Sequence, residues 1–309
     1  MRFSPAGVLP VGKYALLPAT ALAFAVLFTA APASANIRDW DVDPAQSYVR
    51  LTIPDFSLTV DGLGNVPIRL RNFGNSTAWV DAGGRRARLD GTIKTNYQDG
   101  AQIWYKGGQH NLFALEEHNA RPNPDAFDPN ATNSNNPDGQ YTNTSTAPAA
   151  FASRVRTQVL FHIDVAQIAI RDVLLEIASG GFIALDGGGA HAGGLSDFGI
   201  DNAAIDADGL AVLGQQPLPD ILGLEFGDVV ETNAGGAVVT NMGGNLRRLT
   251  YTINVGVSIP VDDEISINGT AAGVIVAYTT IPEPSSIVMA AFGALGVAYS
   301  AYRRRRRAA

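Results

Sequence analysis

Leu249-Thr250-Tyr251-Thr252-Ile253-Asn254-Val255-Gly256-Val257-Ser258-Ile259 is the stretch that decides the fold. Its apolar residues occupy every second position, with threonine, asparagine, glycine and serine between them. In an extended chain, successive side chains point to opposite faces. Such alternation therefore buries one face of a strand and leaves the other in water. Wound into a helix, the same residues would spread their apolar groups around the whole axis.

The pattern recurs outward from this stretch. Val159, Phe161, Ile163 and Val165 alternate with Gln158, Leu160, His162 and Asp164, which predicts a strand over 158–165. Val49, Leu51 and Ile53 alternate with Tyr48, Arg50 and Thr52. Shorter strands are expected at 56–60, 66–70, 77–81, 86–95, 101–106, 181–186, 237–241 and 271–279. Asp61-Gly62, Asp90-Gly91, Asp99-Gly100 and Asn268-Gly269 punctuate them, as residues that tolerate turn geometry do. Residues 164–178 fit a helix, with Ile168, Ala169, Val173, Leu174 and Ile177 on one face, but they also fit a continuing strand. Their β-branched content favours the strand. Many strands without alternating helices predict an all-β antiparallel sandwich or barrel, jelly-roll-like or lipocalin-like. It would be one domain over 36–280, with a long proline-punctuated loop at 117–150 and a glycine-rich surface loop at Gly187 to Gly194.

Composition agrees with this class. Of 309 residues, 46% are apolar, so a core is available, and only 17% are charged. Lysine is nearly absent, so the polar surface must be built from Asn, Thr, Ser, Gln and Asp. The absence of cysteine excludes disulfides, thiolate catalysis and cysteine-ligated metals. Seven of the 22 basic residues lie at the two ends, leaving 15 against 28 acidic residues between Asn36 and Thr280. A body near −13 repels nucleic-acid phosphates, so no nucleic-acid partner is expected.

The ends carry the addresses. Arg2 and Lys13 precede an apolar stretch from Tyr14 to Ala30. Ala33-Ser34-Ala35 then offers the small-x-small pattern of a signal peptidase site, with cleavage before Asn36. An uncleaved N-terminal helix is the alternative. At the other end, Pro282-Glu283-Pro284 is followed by an uncharged apolar run from Ile287 to Tyr302. Arg303, Arg304, Arg305, Arg306 and Arg307 come next. As a helix this run of 16 residues is about 24 Å long, short for a bilayer core of about 30 Å but able to span with thinning. The arginines would hold the C-terminus in the cytoplasm.

This tail, residues 281–309, resembles the PEP-CTERM sorting signal of Gram-negative bacteria in the order of its three parts and their position at the chain's end. The resemblance implies recognition by exosortase, a membrane-embedded cysteine protease-transpeptidase. Processing near the motif would release the body or pass it to the envelope or to exopolysaccharide, in bacteria that build flocs or biofilm. An ordinary tail anchor is the alternative. A second, shorter resemblance covers Trp40 to Leu51, similar to the opening strand of the YceI-like, lipocalin-type family. It implies an antiparallel barrel holding an isoprenoid-like lipid, although Gln46 stands where that family usually has histidine.

The body shows little catalytic patterning. Gly-x-Ser-x-Gly and a phosphate loop are both missing. His110, His118, His162 and His191 lack the spacing of a zinc site, and surface or turn roles are expected for them. Asp206-Ala207-Asp208-Gly209 has the first half of a calcium-loop pattern without the later glutamate, and a plain turn competes with that reading. No cofactor is expected. Function is expected to be structural and non-catalytic, with envelope proteins or exopolysaccharide as partners. A binder of apolar ligands and a polysaccharide-active hydrolase are the alternatives; the hydrolase would need two carboxylates converging in a cleft.

Overall fold

A computed structural model describes residues 37–60, 64–71, 86–109, 111–120, 126–132, 139–142, 146–158, 162–209, 224–260, 266–281, 292–297 and 299. The signal segment, with Ala33, Ala35 and Asn36, lies outside them, as does the strand expected at 77–81.

In chain order the first strands are β1 (Ile37–Val42), β2 (Tyr48–Thr52), β3 (Phe56–Val60), β4 (Gly64–Arg71) and β5 (Arg86–Gln98). β6 (Gln102–Tyr105), β7 (Asn111–Ala114), β8 (His118–Ala120), β9 (Phe127–Asp128) and β10 (Gln140–Tyr141) follow. Then come β11 (Ala147–Ala149), β12 (Phe151–Gln158), β13 (His162–Ala178), β14 (Ile183–Ala184) and β15 (Ala190–His191). The last are β16 (Asp197–Gly209), β17 (Leu224–Thr232), β18 (Ala237–Asn241), β19 (Leu246–Pro260) and β20 (Ser266–Thr280). Among the described residues, sixteen strands join one sheet whose main path runs β15-β18-β19-β20-β1-β5-β7-β13-β12-β4-β3. The fold is antiparallel and all-β, as expected.

The stretch quoted first forms β19. Leu249, Tyr251, Ile253, Val255 and Val257 are buried, while Thr252, Asn254, Gly256 and Ser258 are exposed. Its partner β20 matches it in fifteen consecutive pairs, from Leu246↔Thr280 to Pro260↔Ser266. β1 and β2 together act as one interrupted strand between β20 and β5. The interruption is a turn in which the Asp43 carbonyl accepts from the Gln46 and Ser47 amides at 3.1 and 2.9 Å. There the Ser47 hydroxyl takes over the ladder, donating to the Val276 carbonyl at 3.1 Å and accepting from its amide at 2.9 Å. Its side chain satisfies backbone groups that a buried turn would otherwise leave orphaned.

The sheet turns back so that β2, β19 and β20 face β13, β16 and β17 across one core. Trp40 lies at its heart, donating its indole N–H to Thr95 at 2.8 Å and meeting Tyr97 edge to face at 5.4 Å. Val49, Leu51, Val173, Phe198, Val229 and Val255 surround a cavity of about 30 Å³. That is room for a water molecule or two, not for a lipid. Gln46 is exposed, bonded to Asp43 and reaching the Tyr278 hydroxyl at 3.2 Å. It does not point into an interior.

Period two decides the ambiguous segment. In β13 Ala169, Arg171, Val173, Leu175 and Ile177 are buried, whereas Leu174, placed on the helical face above, is 40% exposed. Other expectations need correction. Residues 158–165 are not one strand, because Gln158, the last residue of β12, pairs with His162, the first of β13. The strand expected at 181–186 shrinks to β14, two residues long. Asp206 to Gly209 is no turn but the end of β16, a strand whose aspartates and asparagine disguise it. β17 was not foreseen either. The excursion at 117–150 carries two nested ladders, β8–β11 and β9–β10. It packs through Ala120 and Ala149 onto Ala152 and Ala169 of the main sheet.

Two glycines separate steric from conformational cost. Gly91 has φ 110°, and a Cβ there would lie 1.7 Å from the Asn111 carbonyl oxygen. Gly100 has φ 69° in open space. Gly100→Ala should cost about 1 kcal/mol and Gly91→Ala more than about 3 kcal/mol, read from urea midpoints. Equal costs would contradict the close approach of β5 to β7.

Candidate functional site

The place where the chain leaves the body is the best-defined feature with functional bearing. β20 stays paired through Thr280↔Leu246, and the next amide, Ile281, donates to the Asn245 carbonyl at 2.8 Å. The β18–β19 turn that receives it is tight, with Gly243 at φ 100° and Gly244 at φ 54°. Arg247 braces that turn, donating to Asn241 Oδ1 and the Gly244 carbonyl, both at 3.0 Å. The same guanidinium reaches across to the β5–β6 turn, where its Nε and a terminal nitrogen meet the Asp99 carboxylate at 2.9 and 2.8 Å. Arg247 holds the Asp99 carboxyl below the usual carboxylate range, and Asp99 raises Arg247 in return. Order therefore persists up to the residue before Pro282.

Pro282, Glu283, Pro284, Ile287, Tyr302 and the arginines Arg303 to Arg307 lie outside the described residues. Within the apolar run, residues 292–297 and 299 are helical, with Phe292, Leu295, Val297 and Tyr299 exposed. Among the described residues no helix is long and apolar enough to cross a membrane, so the expected transmembrane helix gains no support there.

The calcium candidates are used differently from the expectation. Asp206 and Asp208 sit two apart on one face of β16, and both are buried. Arg171 meets Asp206 at 2.6 Å and also donates to the Pro148 and Ala120 carbonyls. This cation ties the excursion to the main sheet and neutralises the carboxylate a calcium ion would need. Sequence reasoning missed the pair because its members stand 35 positions apart. Among the described residues no group of three or more His, Asp or Glu side chains gathers as a metal site.

Two histidines are buried rather than superficial. His191 donates from Nδ1 to the Ala192 carbonyl at 2.8 Å, which leaves Nε2 to accept from the Tyr105 hydroxyl at 3.1 Å. Tyr105 stacks edge to face on Tyr251, whose hydroxyl meets Ser196 at 2.9 Å. Burial pushes Tyr105 well up and Tyr251 to about 12, so both stay neutral phenols. His118 bonds the Arg86 carbonyl at 3.2 Å, and burial lowers its pKa. His110 and the His162 side chain lie outside the described residues.

An open hollow of about 450 Å³ borders a bulge in β13, lined by Phe113, Glu116, Asp172, Leu174 and Asn202. Asp172 adopts φ 51°, rare for a residue with a side chain. Its amide donates to Glu116 Oε1 at 2.8 Å. The glutamate is thereby occupied in holding the bulge.

Comparison with known proteins bears on the tail. The family model described as the PEP-CTERM protein-sorting motif matches residues 280–307. No curated protein and no solved structure matches the chain, so the likeness of residues 40–51 to the YceI-like family finds no support. The chain carries a PEP-CTERM sorting motif. With it come export, association with the cell envelope and exosortase as the processing partner.

The buried groups set the pH response. His118 is neutral when folded, so the unfolded chain takes up protons more readily, and stability should begin to fall below about pH 6.5. Asp99 and Asp164 have lowered folded values, so their contribution is present at neutral pH and is lost as pH falls through those values. His118→Asn should remove the upper phase and leave the lower one, read from denaturant midpoints between about pH 8 and 3. An unchanged upper phase would contradict the assignment.

Proposed function

We propose that this chain is an exported, non-catalytic protein of the bacterial envelope, delivered by its PEP-CTERM tail. Signal peptidase removes residues 1–35. The apolar run 287–302 then holds the body in the inner membrane only until exosortase acts near Pro282-Glu283-Pro284. Afterwards the body associates with exopolysaccharide or neighbouring envelope proteins and contributes to biofilm matrix.

The observation that carries this reading is the motif at 280–307, which abuts the last strand without a linker. Several features of the body agree with it. Its surface strand positions carry threonine, asparagine and serine, side chains suited to hydrogen bonding with sugars. Its core is filled by Trp40, Tyr105, Tyr251 and aliphatic residues, which leaves the apolar-ligand reading without a chamber to rest on. Its acid excess keeps it soluble outside the cell.

Replacing Pro282, Glu283 and Pro284 with alanine tests the tail's role. The variant should accumulate unprocessed in the inner-membrane fraction, with its full mass. Unchanged delivery to the outer envelope or medium would refute processing at this motif.

A further inference from the structure

We infer that the body of the membrane-held precursor stands end-on against the lipid headgroups, by the end that carries Ile37, Trp104, Phe182, Met242 and Leu246. The inference rests on the sorting reading above and adds an orientation and a contact surface to it.

Strand register places both chain connections at this end. β1 runs antiparallel to β20, with Asp41 opposite Tyr278 and Val42 opposite Ala277. Following that register back, Ile37 lies level with the residues just beyond Thr280. The point where the body begins and the point where the tail departs are therefore neighbours. Leu246 sits opposite Thr280, and Met242 occupies the adjoining turn. Asn96 lies opposite both Ile37 and Trp104, which brings those two side chains to the same level and the same face. Phe182 packs edge to face on Trp104 at 5.5 Å.

The length of the tether decides how far the body can stray. Six residue steps separate Ile281 from Ile287, so the link reaches at most about 20 Å when fully extended. β20 itself, from Thr280 back to Asn268, spans about 40 Å. The exit end is thus confined to the headgroup region, while the far end stays in water only if the body stands up.

The distribution of side chains favours standing. Ile37 is 61% exposed, Met242 49%, Phe182 39% and Leu246 38%, four uncovered apolar groups at the end where the tail departs, whereas Leu174, Leu195, Val230 and Val238 are exposed singly elsewhere. Such side chains partition into the membrane interface, and the half-buried Trp104, bonded to the Ser179 carbonyl, backs them. Two ion pairs lie at this end, Lys94 with Asp39 and Arg247 with Asp99, and Lys106 rests over the Trp104 ring, a cation suited to lipid phosphates. Along β19 and β20, by contrast, the described outward positions carry Thr252, Asn254, Ser258, Asn268 and Thr270.

The chain has no cysteine, so single-cysteine variants report single positions. Ile37→Cys, Met242→Cys and Asn268→Cys are made in the full-length chain, labelled with bimane and reconstituted in phosphatidylcholine vesicles. A fraction of the lipid carries a nitroxide on its headgroup. Loss of fluorescence at Ile37→Cys and Met242→Cys, with none at Asn268→Cys, is the expected result. Equal loss at Asn268→Cys means the body lies on its flank, and overturns the orientation. No loss at any position in chains that float with the vesicles overturns the contact while leaving the sorting reading intact. Failure of the chains to float at all overturns both.

Discussion

The structure depends on the pairing of β20 with β19. Fifteen uninterrupted antiparallel pairs carry the chain from Ser266 to Thr280, and everything else is arranged around that ribbon. On the other flank of β20 lie β1 and β2, joined by a turn whose Ser47 hydroxyl stands in for missing ladder groups. The inward faces of these strands supply Trp40, Val49, Leu51, Tyr251, Ile253 and Ile275 to the core. The ribbon holds together through Thr280 and Ile281, the residues at which the sorting motif begins in the sequence.

That junction links fold to delivery. A protease acting at Pro282-Glu283-Pro284 works beside a folded end braced by the Arg247–Asp99 pair. Prolines at this point cannot extend β20 as a central strand, since they donate no ladder hydrogen bond. The proposed cut there would separate the apolar run and the five arginines from the body. The body that remains is acidic, with no basic residue between Arg171 and Arg247 against eleven acidic ones.

Much of the fold was legible because one face of each long strand is buried. β19 and β2 show plain alternation, β18 stands at the expected 237–241, and β20 covers the expected 271–279 but starts at Ser266. β16 and β17 escaped notice for a physical reason. Asp201, Asn202, Asp206 and Asp208 favour turns in isolated chain, yet here β16 is sandwiched between β13 and β17. Asp206 is tolerated inside because Arg171 neutralises it, a partnership that local sequence cannot announce. The break in 158–165 has a similar origin, since the pairing of Gln158 with His162 is a contact that alternation along the chain does not announce. The tail was legible because its information is linear: a motif, an apolar run and a charge cluster in order. Bracing of the exit by Arg247, Asp99 and the Asn245 carbonyl was not, because those contacts join segments up to 148 positions apart.

The central claim is that a folded β body ends at Ile281 and is separated from its tail by processing at the adjoining motif. Mass spectrometry of the protein recovered from the envelope or medium measures this directly, through the peptide at its new C-terminus. The account requires β20 to be present through Ile281 and the arginines Arg303 to Arg307 to be gone. A recovered protein that retains those arginines, or one cut within 266–280, would contradict it.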